Sequence, residues 1–212
     1  MRTSTWVSAC AWACMISAAN SEGVISADNL ISIAPETGSC DGAPFLSECV
    51  TAVTAAPYID LSFLNHGIKG FNTQAAVVAV MLFESGNLKY NINHYPGVPG
   101  QGTRNMQSPS FNLKYATFLS TACTNCGIST ADVERATREG PTAVLALVNG
   151  MQFSIGSAAW FLKTQCESSI MDGLAAGTEI GWTSYIEQCL GTTVTEERTA
   201  GWNKVMSLGR WS

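Results

Sequence analysis

The chain has 212 residues, of which 46% are hydrophobic and 13% charged, with a net charge of −5. This balance excludes a disordered or repeat protein and favours one globular domain with a full-sized core. The acidic total gives no bulk attraction to nucleic acid, so none is expected as a partner.

Residues 1–19 hold one early charge, Arg2, then the apolar run "WVSACAWACMISA", with Ser17 and Ala19 before Asn20. That pattern predicts a secretory signal peptide, leaving residues 20–212 as the mature domain with a net charge of −6. The run is shorter than the ~20 residues a spanning helix needs, and no other segment qualifies, so a secreted, extracellular monomer without stable membrane association is expected. Eight cysteines become six after cleavage: Cys40, Cys49, Cys123, Cys126, Cys166 and Cys189. An even number suits disulfides; sequence proximity pairs Cys40 with Cys49, Cys123 with Cys126 and Cys166 with Cys189, although six cysteines permit fifteen pairings. A zinc site at Cys123 and Cys126 is disfavoured because no second pair or histidine cluster accompanies them, and no metal or organic cofactor is expected.

The remaining pattern predicts a mainly α fold with little or no β-structure. Ala43 to Leu64 carries helical apolar spacing with a break near Pro57. Asn72 is placed to cap "TQAAVVAVMLFES", a helix apolar on nearly every face and therefore buried, which stops at Gly86. Asn87 to Pro109, including "HYPGVPGQGTRN", reads as a long loop. Ser129 with Asp132 forms a capping box for "TADVERATRE", Gly140 closes that helix and Pro141 starts "PTAVLALVN". Four short helical segments follow: "SAAWFLKTQC", "SIMDGLAAG", "EIGWTSYIEQC" and "EERTAGWNKVMSL", whose apolar stripes read as core.

The central helix ends on a carboxylate, Glu84. Apolar neighbours and the negative helix end favour its protonated form, as general-acid catalysis on a glycosidic oxygen requires, while basic neighbours push the other way and the sequence leaves the balance open. Between His66 and Tyr115 the bases are Lys69, Lys89, Arg104 and Lys114, and Glu84 is the one acid. The distribution suggests a cleft for an anionic ligand around a single working carboxylate.

"FNTQAAVVAVMLFESGNLKYNIN", followed by "GTRNMQSP" and preceded by "YIDLSFLNHGIKG", resembles the lysozyme-like superfamily, particularly goose-type lysozymes and lytic transglycosylases. The resemblance covers Tyr58 to Ser110, about a quarter of the chain, and later segments are similar to secreted fungal muramidases. It implies a lysozyme-like single domain and a muramidase cleaving the β-1,4 bond after N-acetylmuramic acid in peptidoglycan. Glu84 would be the catalytic acid, Ser85 the following serine in contact with the substrate, and Met106 with Gln107 the pair that lines the cleft. His94, Tyr95, Asn105 and Tyr115 are candidate sugar contacts, and Arg104 stands where the family has glycine. Asp60, Glu48, Glu134, Asp172 and Glu187 are candidate second carboxylates, none marked by its surroundings. The Tyr-Asn motif of transglycosylases has only a partial echo in Val148 and Asn149. A lytic transglycosylase, a chitinase-like hydrolase and a non-catalytic glycan binder are the alternatives.

Overall fold

The computed structural model describes residues 23–123 and 126–212. The expected signal segment, 1–19, lies outside the described residues. Helices α1 (Ala27–Ile33), α2 (Ala52–His66), α3 (Phe71–Glu84), α4 (Pro109–Ala122) and α5 (Thr130–Glu139) are followed by α6 (Pro141–Val148), α7 (Met151–Gln165), α8 (Ser168–Ala175), α9 (Glu179–Ser184) and α10 (Glu196–Met206). A single π-helical turn, Tyr185–Cys189, continues α9. The fold is mainly α, and the bridges Ile92 to Gly102 and Gly102 to Gln107 are isolated.

The central helix is buried as its composition requires: every residue of α3 from Thr73 to Leu82 is inside. α10 and α8 pack on it, and α7 lies against both α3 and α2. α7 also divides the apolar interior. Its Ile155, Ala158, Ala159 and Leu162 join the core around α3, while Trp160 and Phe161 face a second core built by α4, α5 and α6.

Local signals set several boundaries. Ser129 Oγ accepts from Asp132 N while the Asp132 carboxylate accepts from Ser129 N, which is the predicted capping box. Pro141 opens α6, where its missing N–H leaves nothing unsatisfied. The disulfides pair Cys40 with Cys49, Cys123 with Cys126 and Cys166 with Cys189, at Cα separations of 5.9, 5.5 and 5.2 Å.

Two boundaries differ from the sequence reading. α2 begins at Ala52, not Ala43, because the preceding stretch is turned around the Cys40–Cys49 bridge, and Pro57 lies inside the helix without ending it. Burial of Ala55, Ala56, Ile59 and Phe63 holds α2 together through the proline. Asn72 does not cap α3. Gly70 occupies that position, and Asn72 Nδ2 instead donates to the carbonyl of Ala175 at 2.9 Å, satisfying the end of α8.

No single helix among the described residues is long and apolar enough to cross a membrane.

Val78 is fully buried. Val78→Asp is expected to prevent accumulation of folded protein, since an unpaired buried charge costs several kcal/mol against a total of ~5–15 kcal/mol; yield and circular dichroism check this. His66, in the last turn of α2, is lowered from its usual range by burial. The unfolded chain therefore binds the His66 proton more readily, and stability should fall as the pH drops through the window just below 6.5. His66→Gln should flatten the difference in urea midpoint between pH 7.5 and pH 5 relative to the parent, chosen to bracket the ordinary titration range at roughly 6.5.

Candidate functional site

Glu84 is the final residue of α3, and the turn after it is organised by Ser85. Ser85 Oγ donates to the carbonyl of Met81 at 2.7 Å and accepts from Leu88 N, while the Ser85 carbonyl accepts from Lys89 N and Tyr90 N. The chain reverses through Gly86, whose φ of 54° lies in the left-handed region and whose added Cβ would stand 2.9 Å from the Tyr90 ring. Ser85 is thus wholly buried and serves the turn, not the substrate contact its resemblance implied.

The Glu84 carboxylate opens into a cleft shared by Asn105, Met106 and Gln107 of the 87–108 loop. Phe111 and Phe161 supply an apolar wall, their rings 4.7 Å apart and edge to face. Leu190, Thr192 and Arg198 close the other side. Arg198 Nη2 donates to Glu84 Oε1 at 2.6 Å, its guanidinium lies 4.3 Å from the Phe83 ring centroid, and Nη1 donates to the carbonyl of Thr193. The expectation that the cations around Glu84 are its neighbours in sequence is corrected: α10 brings in Arg198 from 114 residues away.

The loop wall is held by side chains in place of a sheet. Glu48 is buried, and its carboxylate accepts from Asn91 N, Ile92 N and His94 Nε2 at 3.0, 3.1 and 2.6 Å. Arg104 donates through Nη1 to the carbonyls of Leu88 and Tyr90, and through Nη2 to that of Glu48. Gly102 lets the strandless ribbon close, since a Cβ there would meet the Asn91 carbonyl oxygen at 2.5 Å.

The basic window therefore does not surround the cleft. Arg104 is 2% exposed and satisfied by three carbonyls, so it faces no ligand; burial lowers its guanidinium to about 10, against the opposing charge of Glu48. Lys89 Nζ donates to the carbonyls of Glu36 and Ser39, and Lys114 sits over the Phe111 ring. Lys69 lies in a different surface depression with Asp60. Three further candidates also fall outside the cleft. The His94 ring stacks on Phe45 at 3.6 Å, Tyr95 is largely exposed, and Tyr115 is buried with its hydroxyl donating to the Phe153 carbonyl. Of the candidate second carboxylates, Asp60, Glu48, Glu134, Asp172 and Glu187, none lines the cleft; Glu84 is its one carboxylate among the described residues.

Four cleft residues, Glu84, Asn105, Met106 and Gln107, were legible in the sequence. Arg198 was not: it sits in the first turn of a capped helix, and nothing local marks it. Tyr185 was also missed. It is buried in the π-helical turn, its hydroxyl has no partner among the described residues, and burial followed by the charge of Glu84 pushes its phenol up. A second cleft, between α2, α4 and α7, is lined by Tyr58, His66, Phe118 and the Cys123–Cys126 bridge and carries no carboxylate.

No family model and no solved structure matches the chain. A curated protein of Fusarium oxysporum (strain Fo5176), named as a bifunctional dioxygenase-epoxy alcohol synthase, is 38% identical to it over 154 residues. The match takes in 72% of this chain and 12% of that protein, so the chain spans about an eighth of its relative's length. The matching segment of that relative is part of a protein named for dioxygenase chemistry and epoxy alcohol synthesis. This overturns the expectation of a muramidase with Glu84 as general acid, and with it the assignment to hydrolases and cell-wall degradation. Among the described residues no group of three or more His, Cys, Asp or Glu is placed to hold a metal ion.

Arg104→Met should lower stability by at least about 3 kcal/mol, because three carbonyls lose their donor and the Glu48 carboxylate loses a neighbouring cation. Chemical denaturation measures the loss, and a variant as stable as the parent would show that the loop does not depend on this cation.

Proposed function

We propose that the Glu84 cleft is an acid–base site for a small oxygenated organic ligand, in an enzyme or enzyme module associated with oxidative chemistry of the kind named for its relative. The observation that carries this reading is the Glu84–Arg198 pair, 2.6 Å apart and partly shielded, set between an amide-bearing loop and an aromatic wall. A carboxylate in an ion pair is a hydrogen-bond acceptor and a base; the guanidinium beside it keeps several N–H donors for an oxygen of the ligand. Glu84 takes the proton of a ligand hydroxyl as that oxygen attacks the adjacent epoxide carbon and the old C–O bond breaks. Arg198 orients Glu84 and donates to the departing epoxide oxygen, which takes the proton back from Glu84, so the epoxide migrates with no change of oxidation state. An epoxy alcohol, the product class in the relative's name, presents both kinds of oxygen side by side. The three disulfides support passage through an oxidising compartment, in keeping with secretion.

The test is isomerisation of a vicinal epoxy alcohol, with the new epoxide separated by chromatography and identified by mass spectrometry, using parent, Glu84→Gln and Arg198→Met proteins. The parent should convert it, and Glu84→Gln should be at least ~10²-fold slower, the low end for a positioned general base. A parent rate equal to that of Glu84→Gln would overturn the proposal.

A further inference from the structure

The loop wall of the cleft contains an acceptor whose orientation is fixed by a chain of hydrogen bonds. Asn112, wholly buried in α4, donates through Nδ2 to the carbonyls of Gly100 and Gln107 at 2.9 and 3.2 Å. Those two carbonyls can only accept, so the Asn112 amide has one orientation and its Oδ1 is left as an acceptor. Gln107 Nε2 donates to that Oδ1 at 2.9 Å. The Gln107 amide is thereby fixed in turn, with Oε1 pointing the other way.

Gln107 Oε1 has no hydrogen-bond partner among the described residues, although the side chain is 3% exposed and lines the cleft that holds Glu84. Asn105 Oδ1, on the same wall, is likewise buried and unpartnered. Buried acceptors left unpaired are rare and costly. The neighbouring Gln101 does not relieve them, since its Nε2 donates to the Met106 carbonyl at 3.1 Å. In this turn Thr103 and Met106 have φ of 66° and 44°, and Thr103 Oγ1 accepts from Ser157 Oγ of α7 at 2.9 Å.

We infer that the cleft selects a ligand presenting hydrogen-bond donors, hydroxyl or N–H, to Gln107 Oε1 and Asn105 Oδ1, and discriminates against the same skeleton with its hydroxyls capped. This rests on the reading of the Glu84 cleft as a ligand site and names its specificity. The donor set of the opposite wall belongs to Arg198, so the two walls are complementary: acceptors on the loop, a cation on α10. A ligand bearing a hydroxyl towards the loop and an ether-type oxygen towards Arg198 satisfies both. A polar site built this way rejects the analogue that lacks the donor, because the acceptor then stays buried and unpaired.

Chemical-shift titration of the isotopically labelled protein with a vicinal cyclohexanediol and with its dimethyl ether tests the inference. The diol should perturb the amides of Asn105, Met106 and Gln107 and bind at least about fivefold more tightly than the ether, the low end of the cost of one unpaired buried acceptor. Gln107→Met, which keeps the length and removes the acceptor together with the donor to Asn112, should erase most of that preference. Equal binding of diol and ether in the cleft of the parent protein would overturn the inference and leave the cleft reading standing. Failure of both probes to perturb cleft residues would overturn the two together. A preference that persists in Gln107→Met would remove Gln107 from the role, and should that variant not fold, the comparison of the two probes on the parent protein decides alone.

Discussion

The cleft depends on a buried guanidinium. The 87–108 loop has almost no ladder of its own, yet much of its backbone is inside, and each buried N–H and C=O needs a partner. Arg104 supplies donors to the carbonyls of Leu88, Tyr90 and Glu48, and the Glu48 carboxylate supplies acceptors to the amides of Asn91 and Ile92. One cation and one anion, both buried, replace the sheet that would otherwise satisfy this backbone. The cost is desolvation, visible in the lowered guanidinium of Arg104, and it is offset by hydrogen bonds that only an ordered loop can make.

With the loop fixed, the helices decide what faces it. α3 is apolar over ten consecutive buried residues, so its position is set by packing on all sides, and the first residue free to carry charge is at its end. Ser85 then turns the chain inward by capping Met81 and collecting the following amides, which leaves Glu84 at the rim. α7 serves both cores and anchors the loop through Ser157, while the Cys166–Cys189 bridge ties its end to the π-helical turn. From that turn the chain runs through Leu190 and Thr192 to Arg198, so the far wall of the cleft is tethered to the same scaffold as the near one.

This construction explains why charge density along the sequence misleads. Lys69, Lys89, Arg104 and Lys114 crowd the stretch around Glu84, yet each is used elsewhere or faces elsewhere, and the cation that meets Glu84 comes from α10. The arrangement is one carboxylate paired with one arginine, with neutral amides opposite. Such a site sets hydrogen-bond acceptors and donors side by side. Among the described residues its lining contains no cluster of cations of the kind that would hold a polyanion.

By itself the sequence determined the mainly α character, the burial of α3, Glu84 at its end, the irregular loop and the capping box at Ser129, and nearness along the chain favoured the three disulfide pairings that the fold makes. Each follows from residues close together in the chain: periodicity, a cap three residues before its partner, or cysteines near one another. Met106 and Gln107 were singled out by a resemblance and Asn105 as a separate candidate contact; the fold sets all three in one lining. Only the tertiary structure decided that Arg198 pairs with Glu84, that Tyr185 lies behind it, that Arg104 is a buried staple, and that Asn72 serves α8. Those contacts join residues separated by up to 114 positions, and their chemistry is set by which groups burial leaves unpaired. A local pattern of residues records where a side chain can point; the packing of α7 and α10 against α3 determines what it meets.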